Sequence, residues 1–221
     1  MNKTAKLGEK APLLQISDWV QGNPTNINLL EGKVVLIEVF QVNCPGCFLY
    51  SLPQAINMYQ KYFDKGLIVL GIATAFEDFD KNTLENLKLL ATQNKVIGET
   101  LRVLTENSQL IDEQLPFHIP FPLAMDKITK HTKEITENEI ALFIEEHISD
   151  FFRQNERHKK QTHQNVLNHL QSRLSTAETF KLYNLQGTPS HILIDKKGRL
   201  KASEFGHFSD LEWAISALLE K

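Results

Sequence analysis

The chain of 221 residues has only two cysteines, Cys44 and Cys47, three positions apart. A scaffold stapled by several disulfides is therefore excluded, and so is a tetrathiolate zinc site, which needs two such pairs. Long hydrophobic runs are also missing. The longest apolar stretches, residues 34–42 and 67–75, fall short of the roughly 20 residues that a membrane helix takes, and Glu38 interrupts the first. Basic charge is not in excess: 24 Lys and Arg against 27 Asp and Glu give −3, and no basic stripe with interleaved aromatics offers nucleic acid a partner surface. The first dozen residues are basic without the apolar core of a secretory signal, so the expectation is a cytoplasmic protein with no membrane attachment. Residues 127–174 contain neither glycine nor proline, unlike the rest of the chain.

What is present is organised around residues 34–53, VVLIEVFQVNCPGCFLYSLP. The apolar run at 34–40 follows a Glu31-Gly32-Lys33 turn. After the cysteines, Phe48, Leu49, Leu52, Ile56, Met58, Tyr59 and Phe63 continue at helical spacings to Gly66. The pattern predicts strand, tight turn, helix. With Cys44 as the residue capping the helix, Pro45 takes the first helical position, where its missing N–H costs nothing. The Cys44 sulfur then faces free backbone N–H groups near Gly46 and Cys47, and the helix dipole favours its thiolate. A thiolate is the attacking species in disulfide exchange. Cys47, one turn deeper, is placed to close a disulfide with Cys44 and release a bound partner. Two other uses of the pair stay open here: small buried hydrophobes, or half of a zinc site completed by distant histidines. In a cytosolic chain, redox chemistry is the expected use. It requires no cofactor and no metal.

The flanking sequence predicts an α/β domain. Residues 8–30 form an extended arm or short hairpin. Residues 67–73 form a strand buried on both faces, which completes a right-handed β-α-β unit. Capping boxes are read at residues 82–85, 136–139, 175–178 and 209–212, each opening a helix. Residues 96–115 suggest one or two more helices, and 118–126 a proline-guarded strand. The stripe Ile140, Phe143, Ile144, Ile148, Phe151, Phe152 and a second stripe, Val166, Leu167, Leu170, Leu174, predict a helical hairpin. The reading is one domain over residues 1–221, with residues 127–174 inserted into it. His147, His158, His163 and His169 are spaced eleven, five and six apart, which gives no i, i+4 pair of metal ligands, and they read as solvated surface. Gly187-Thr188-Pro189 precedes a β-hairpin that turns at Lys196-Lys197-Gly198.

This order of elements resembles the thioredoxin-like superfamily. Gly8-Glu9-Lys10-Ala11-Pro12, Asn28-Leu29 before Glu31-Gly32-Lys33-Val34-Val35-Leu36, and Gly187-Thr188-Pro189 with Ile194-Asp195-Lys196-Lys197-Gly198 are similar to its TlpA-like, AhpC/TSA redoxin branch. The likeness covers residues 8–76 and 176–221. It implies a central mixed sheet flanked by helices, and a cis-proline at Pro189 facing the cysteines. It also implies a Thr188 backbone that pairs with an extended substrate, which Pro45 and Gly46 would border from the other side. Glu38, six residues before Cys44, matches a buried acid that takes or gives the proton of the second cysteine. The implied function is a thiol–disulfide oxidoreductase in which Cys44 attacks and Cys47 resolves. Its substrate would be a disulfide-containing protein or small thiol, and a reductant partner would recharge it. The chain departs from the family at Asn43, where tryptophan is usual. It departs again at Tyr50, where the branch has glutamate, and at Pro53, one place late. Two alternatives accompany this reading. One is a peroxiredoxin-like peroxidase, although Gln41 stands where that family has threonine; the other is a thioredoxin-fold adaptor that binds a partner through the insertion.

Overall fold

The computed structural model describes residues 4–172 and 174–220. Its strands are β1 (Ile16–Gln21), β2 (Val34–Phe40), β3 (Leu67–Ala73), β4 (Leu123–Asp126), β5 (Ile128–Lys130), β6 (Ser175–Ala177), β7 (Ser190–Ile194) and β8 (Leu200–Phe205). Six of them make one sheet in the order β1-β4-β3-β2-β7-β8, while β5 and β6 make a two-stranded sheet. The large sheet is mixed: β2–β3 and β3–β4 are parallel, and β1–β4, β2–β7 and β7–β8 antiparallel. The helices are α1 (Leu52–Tyr62), α2 (Leu84–Gln93), α3 (Gly98–Glu106), α4 (Glu137–His147), α5 (Glu156–Ser172), α6 (Glu178–Leu182) and α7 (Leu211–Leu219).

β2 lies at the centre because both of its faces are covered. Val34, Leu36 and Phe40 join a core with Leu52, Ala55 and Met58 of α1, Leu87 and Leu90 of α2, Leu104 of α3, and Leu211, Ile215 and Leu218 of α7. Val35, Ile37 and Val39 face the opposite way, onto Leu14, Ile27, Leu182, Tyr183 and Leu185. Two-sided burial removes any reason for polar alternation, which is why the strand reads as one apolar run. Each such side chain contributes roughly 1.5–3 kcal/mol through its removal from water. This is an α/β fold with a central mixed sheet flanked by helices, the architecture of thioredoxin-like proteins.

Several local expectations are corrected. Of the two forms expected for the N-terminal segment, the extended arm is the one present and the hairpin is not: β1 is an edge strand on β4, with two register shifts. α2 is capped by Thr83, whose side chain accepts from the Asn86 N–H, rather than by Asn82. Residues 175–177 are strand, and α6 has no side-chain cap of its own. α7 starts after Asp210, also without a side-chain cap. Among the described residues of the four expected boxes, only Thr136 and Glu139 form both bonds. Phe151 and Phe152 lie in a short 3-10 turn, not on α4.

The chain divides into two compact units, one of residues 1–128 and 177–221, and one of Thr129–Thr176. In the smaller unit, Ile140 and Ile144 of α4 and Val166 of α5 form a core of their own, with Phe143, Ile148, Phe151, Leu167 and Leu170 packed against it. Among the described residues, no helix is long and apolar enough to cross a membrane.

Candidate active site

The helical path begins at Pro45, directly after Cys44. The Cys47 N–H donates to the Cys44 carbonyl at 3.0 Å and lies 3.3 Å from Cys44 Sγ. The two cysteines are joined as a disulfide with a Cα–Cα distance of 5.4 Å. Cys44 is partly exposed and Cys47 is 0% exposed, so only the first sulfur can be reached from outside. The next turn, Cys47–Ser51, is π-helical: the Leu52 N–H donates to the Cys47 carbonyl, and Ser51 Oγ donates to that same oxygen at 3.1 Å. Pro53 accounts for this. It has no N–H for the Leu49 carbonyl, and its ring would collide with that oxygen in a regular α-helix, so the turn widens.

Opposite the cysteines, the Thr188–Pro189 peptide is cis, and the Thr188 carbonyl oxygen is 3.7 Å from Cys44 Sγ. Buried Gln41 ties this loop down: Thr188 Oγ1 donates to its Oε1 at 3.0 Å, and its Nε2 donates to the Glu77 carbonyl at 3.3 Å. Asn43 anchors the other side. Its N–H donates to Asn82 Oδ1 at 2.9 Å and its Nδ2 to Asp78 Oδ2 at 2.8 Å, while its Oδ1 accepts the Glu99 N–H at 2.7 Å. Thr100 Oγ1 donates to the Val42 carbonyl at 3.0 Å. The start of α3 therefore clamps the turn that carries Cys44. Gly98 makes this approach feasible, with φ of +56° and no side chain toward Asn43. Gly98→Ala adds both the left-handed strain and a collision with Asn43 Oδ1. We expect a loss of about 2 kcal/mol or more in urea unfolding, and an unchanged midpoint would refute the clamp.

Glu38 and His191 face each other across the β2–β7 ladder. Both are 0% exposed, and His191 Nδ1 lies 2.7 Å from Glu38 Oε2. The contact is close but off the line of a directed hydrogen bond, and Glu38 Oε1 has no hydrogen-bond partner among the described residues. His191 Nε2 is 3.0 Å from the Gly206 carbonyl. Burial opposes the imidazolium, yet the Glu38 charge and contact, with lesser help from Gly206 and Glu204, hold the His191 pKa above its ordinary value. The stabilisation from this charge is complete below the ordinary histidine pKa of about 6.5 and is lost as pH rises through the elevated folded value. Glu38 shares its sheet face with Val34, Leu36 and Phe40, the face that Cys47 also covers. A groove of about 430 Å³ runs past the site, lined by Gly46, Tyr50, Ser51, Pro189, His191 and His207 among others.

No protein-family profile matches the chain. Protein FixW of Rhizobium leguminosarum is 24% identical over 132 residues, which are 58% of this chain and 59% of FixW. Protein DipZ of Mycobacterium tuberculosis is 36% identical over 77 residues, 34% of this chain and 11% of DipZ. The chain thus spans less than two thirds of the curated relatives it matches. Solved structures align over nearly the whole chain. A thioredoxin-like superfamily protein, SPOA0173, gives a TM-score of 0.58 at 26% identity, covering 96% of this chain and 97% of that one. A thiol-disulfide isomerase from Corynebacterium glutamicum gives 0.58 at 27% identity, covering 98% and 97%. The chain belongs to the thioredoxin-like superfamily.

Within this thioredoxin-like framework, the structure brings Cys44, Cys47, Pro45, Gly46, Thr188 and Pro189 to one place, with Glu38 buried on the cysteine side of the sheet. His191 was not anticipated as a site residue. The only sequence signal for it was a histidine inside an apolar strand, two positions after the Thr-Pro pair. In the sequence Gln41 and Asn43 stand out only as departures from family patterns; in the structure their amides fix the loops on both sides of Cys44. Among the described residues, no cluster of three or more His, Cys, Asp or Glu side chains is arranged to hold a metal.

Proposed function

We propose that this thioredoxin-like chain is a thiol–disulfide oxidoreductase acting on protein or small-molecule disulfides. The observation that carries the reading is the asymmetry of the pair: a reachable Cys44 at a helix N-terminus, against a buried Cys47 one turn below. In the reduced protein the Cys44 thiolate, favoured by the Cys47 N–H and the helix dipole, attacks a substrate disulfide. That step forms a mixed disulfide and expels one substrate thiolate. Cys47 then loses its proton, attacks Cys44 Sγ and expels the second, leaving the Cys44–Cys47 disulfide and a substrate reduced by two electrons. A reductant partner returns the pair to the dithiol. Thr188 and Pro189 would hold the substrate segment from one side, and Pro45 and Gly46 from the other. Assignment to the TlpA-like branch and treatment of residues 127–174 as an insertion into the domain belong to the same proposal. A peroxidase reading lacks its threonine, and the Gln41 amide in that place is engaged by Thr188 and Glu77.

The test is to equilibrate the protein in dithiol and glutathione buffers, measure the potential of the couple, and assay reduction of a protein disulfide. For this two-electron couple, 30 mV corresponds to about 1.4 kcal/mol. A strongly reducing potential fits a cytoplasmic reductant, and a more oxidising one fits work in an oxidising compartment. A pair that stays reduced in mild oxidant, with no turnover of a disulfide substrate, ends the proposal.

A further inference from the structure

The Gly206 carbonyl can only accept, so the His191 Nε2 that contacts it at 3.0 Å carries a hydrogen. Nδ1 is then left 2.7 Å from Glu38 Oε2, and two bare acceptors would repel at that distance. The pair therefore holds one proton between them, either as imidazolium with carboxylate or as imidazole with carboxylic acid. Glu38 also keeps an unpartnered oxygen, Oε1, on the sheet face covered by Cys47, while His191 borders the groove beside Gly46 and Ser51. A buried carboxyl with one free oxygen, its charge matched by a buried imidazole at the border of the groove, is arranged to accept a further proton.

The family resemblance already gives Glu38 the proton of Cys47; we propose that His191 completes this relay as its positioning residue, facing Glu38 across the β2–β7 ladder and setting its charge and orientation. This rests on the disulfide-exchange reading above. In the resolving step the Cys47 proton passes to the pair. The positive charge this creates is balanced by the thiolate just formed, so the transfer is neutral overall. Cys47 attacks Cys44 Sγ, the substrate thiolate leaves with the negative charge, and the extra proton follows it through the groove. The other titratable groups facing His191 are Glu204, its partner on β8, and Tyr50 and His207 at the groove, with the Phe208 ring 6.1 Å away. Both glutamates favour the charged imidazole, and His207 at the open rim opposes it only weakly through solvent.

The experiment follows the reduced protein reacting with 5,5′-dithiobis(2-nitrobenzoate) in single turnover between pH 5.5 and 9. The first thionitrobenzoate released reports attack by Cys44, and the second reports resolution by Cys47. In His191→Leu and Glu38→Gln we expect the second release to slow about tenfold or more at neutral pH, and to recover toward high pH, where Cys47 ionises unaided. The first release should change far less. His191→Gln, which keeps the groove filled, should resemble His191→Leu in pH profile. If all three variants show the wild-type pH profile for the second release, the relay is wrong. Nitrogen-15 NMR of the unsubstituted protein gives a check that needs no variant to fold: Nε2 should stay protonated from pH 5.5 to 9, and an unprotonated Nε2 overturns the relay. If the wild type shows no first release while Nε2 is protonated, the oxidoreductase reading has failed and the relay falls with it. A normal first release with an unaltered second release in the variants overturns the relay alone.

Discussion

Cys47→Ser is expected to stop the reaction half-way. Cys44 remains at the helix N-terminus with its thiolate favoured, so it still attacks a disulfide, but nothing then displaces the bound partner. The variant should accumulate covalent adducts, visible as mass additions that a reductant removes. Cys44→Ser is expected to abolish exchange down to the uncatalysed background. Its hydroxyl is no nucleophile toward sulfur at neutral pH, and the remaining thiol is 0% exposed. The two substitutions therefore give opposite phenotypes from one constellation. Trapping by Cys44→Ser with none by Cys47→Ser would reverse the two roles, and trapping by neither would remove the sulfur chemistry altogether.

The cysteine turn was legible because every signal for it is local. An apolar strand, a proline at the first helical position and helical spacing beyond it all lie within twenty residues. The widened turn also had a written cause, since Pro53 sits four residues after Leu49 in a segment otherwise suited to α-helix. The Glu38–His191 pair was not legible. It depends on which residue of β7 falls opposite residue 38, and that register is set by the whole sheet. The clamp of Asn43 by α3 was hidden for the same reason: its partners Asp78 and Asn82 come from the loop before α2, and Glu99 from the first turn of α3. The capping-box pattern is a weakly specific signal. A Ser, Thr, Asp or Asn three residues before a Glu is common in any polar stretch, and it forms a box only where the backbone already turns correctly. Thr136 meets that condition, while the segment at 175–178 enters its helix straight from a strand.

The start of α6 is instead capped from a distance, and that arrangement underlies the second large effect. Asp126 ends β4 with 0% exposure, and its Oδ1 accepts the Thr179 N–H at 2.8 Å. Its Oδ2 accepts the Phe180 N–H at 3.1 Å and the Thr74 hydroxyl at 2.8 Å. One carboxyl thus joins β4, the end of β3 and the first turn of α6. Asp126→Ala leaves two helix N–H groups and a buried hydroxyl without an acceptor. At roughly 1–3 kcal/mol for each unsatisfied group, and toward the lower end because the Phe180 N–H is only part-buried, the expected loss is about 3–5 kcal/mol, read as a lower urea midpoint with an unchanged slope. Asp126→Asn keeps one acceptor oxygen and should lose less. Burial raises the Asp126 carboxyl above its ordinary value, and the Thr179, Thr74 and Phe180 hydrogen bonds pull it back only in part. The folded state therefore holds this proton more tightly than the unfolded chain. Its contribution to stability is fullest below the ordinary aspartate value of 3.8 and declines as pH rises through the elevated folded value. The wild-type advantage over Asp126→Asn should accordingly shrink from pH 4 upward and then level off. An Asp126→Ala protein that unfolds at the wild-type urea concentration would show that α6 needs no such cap.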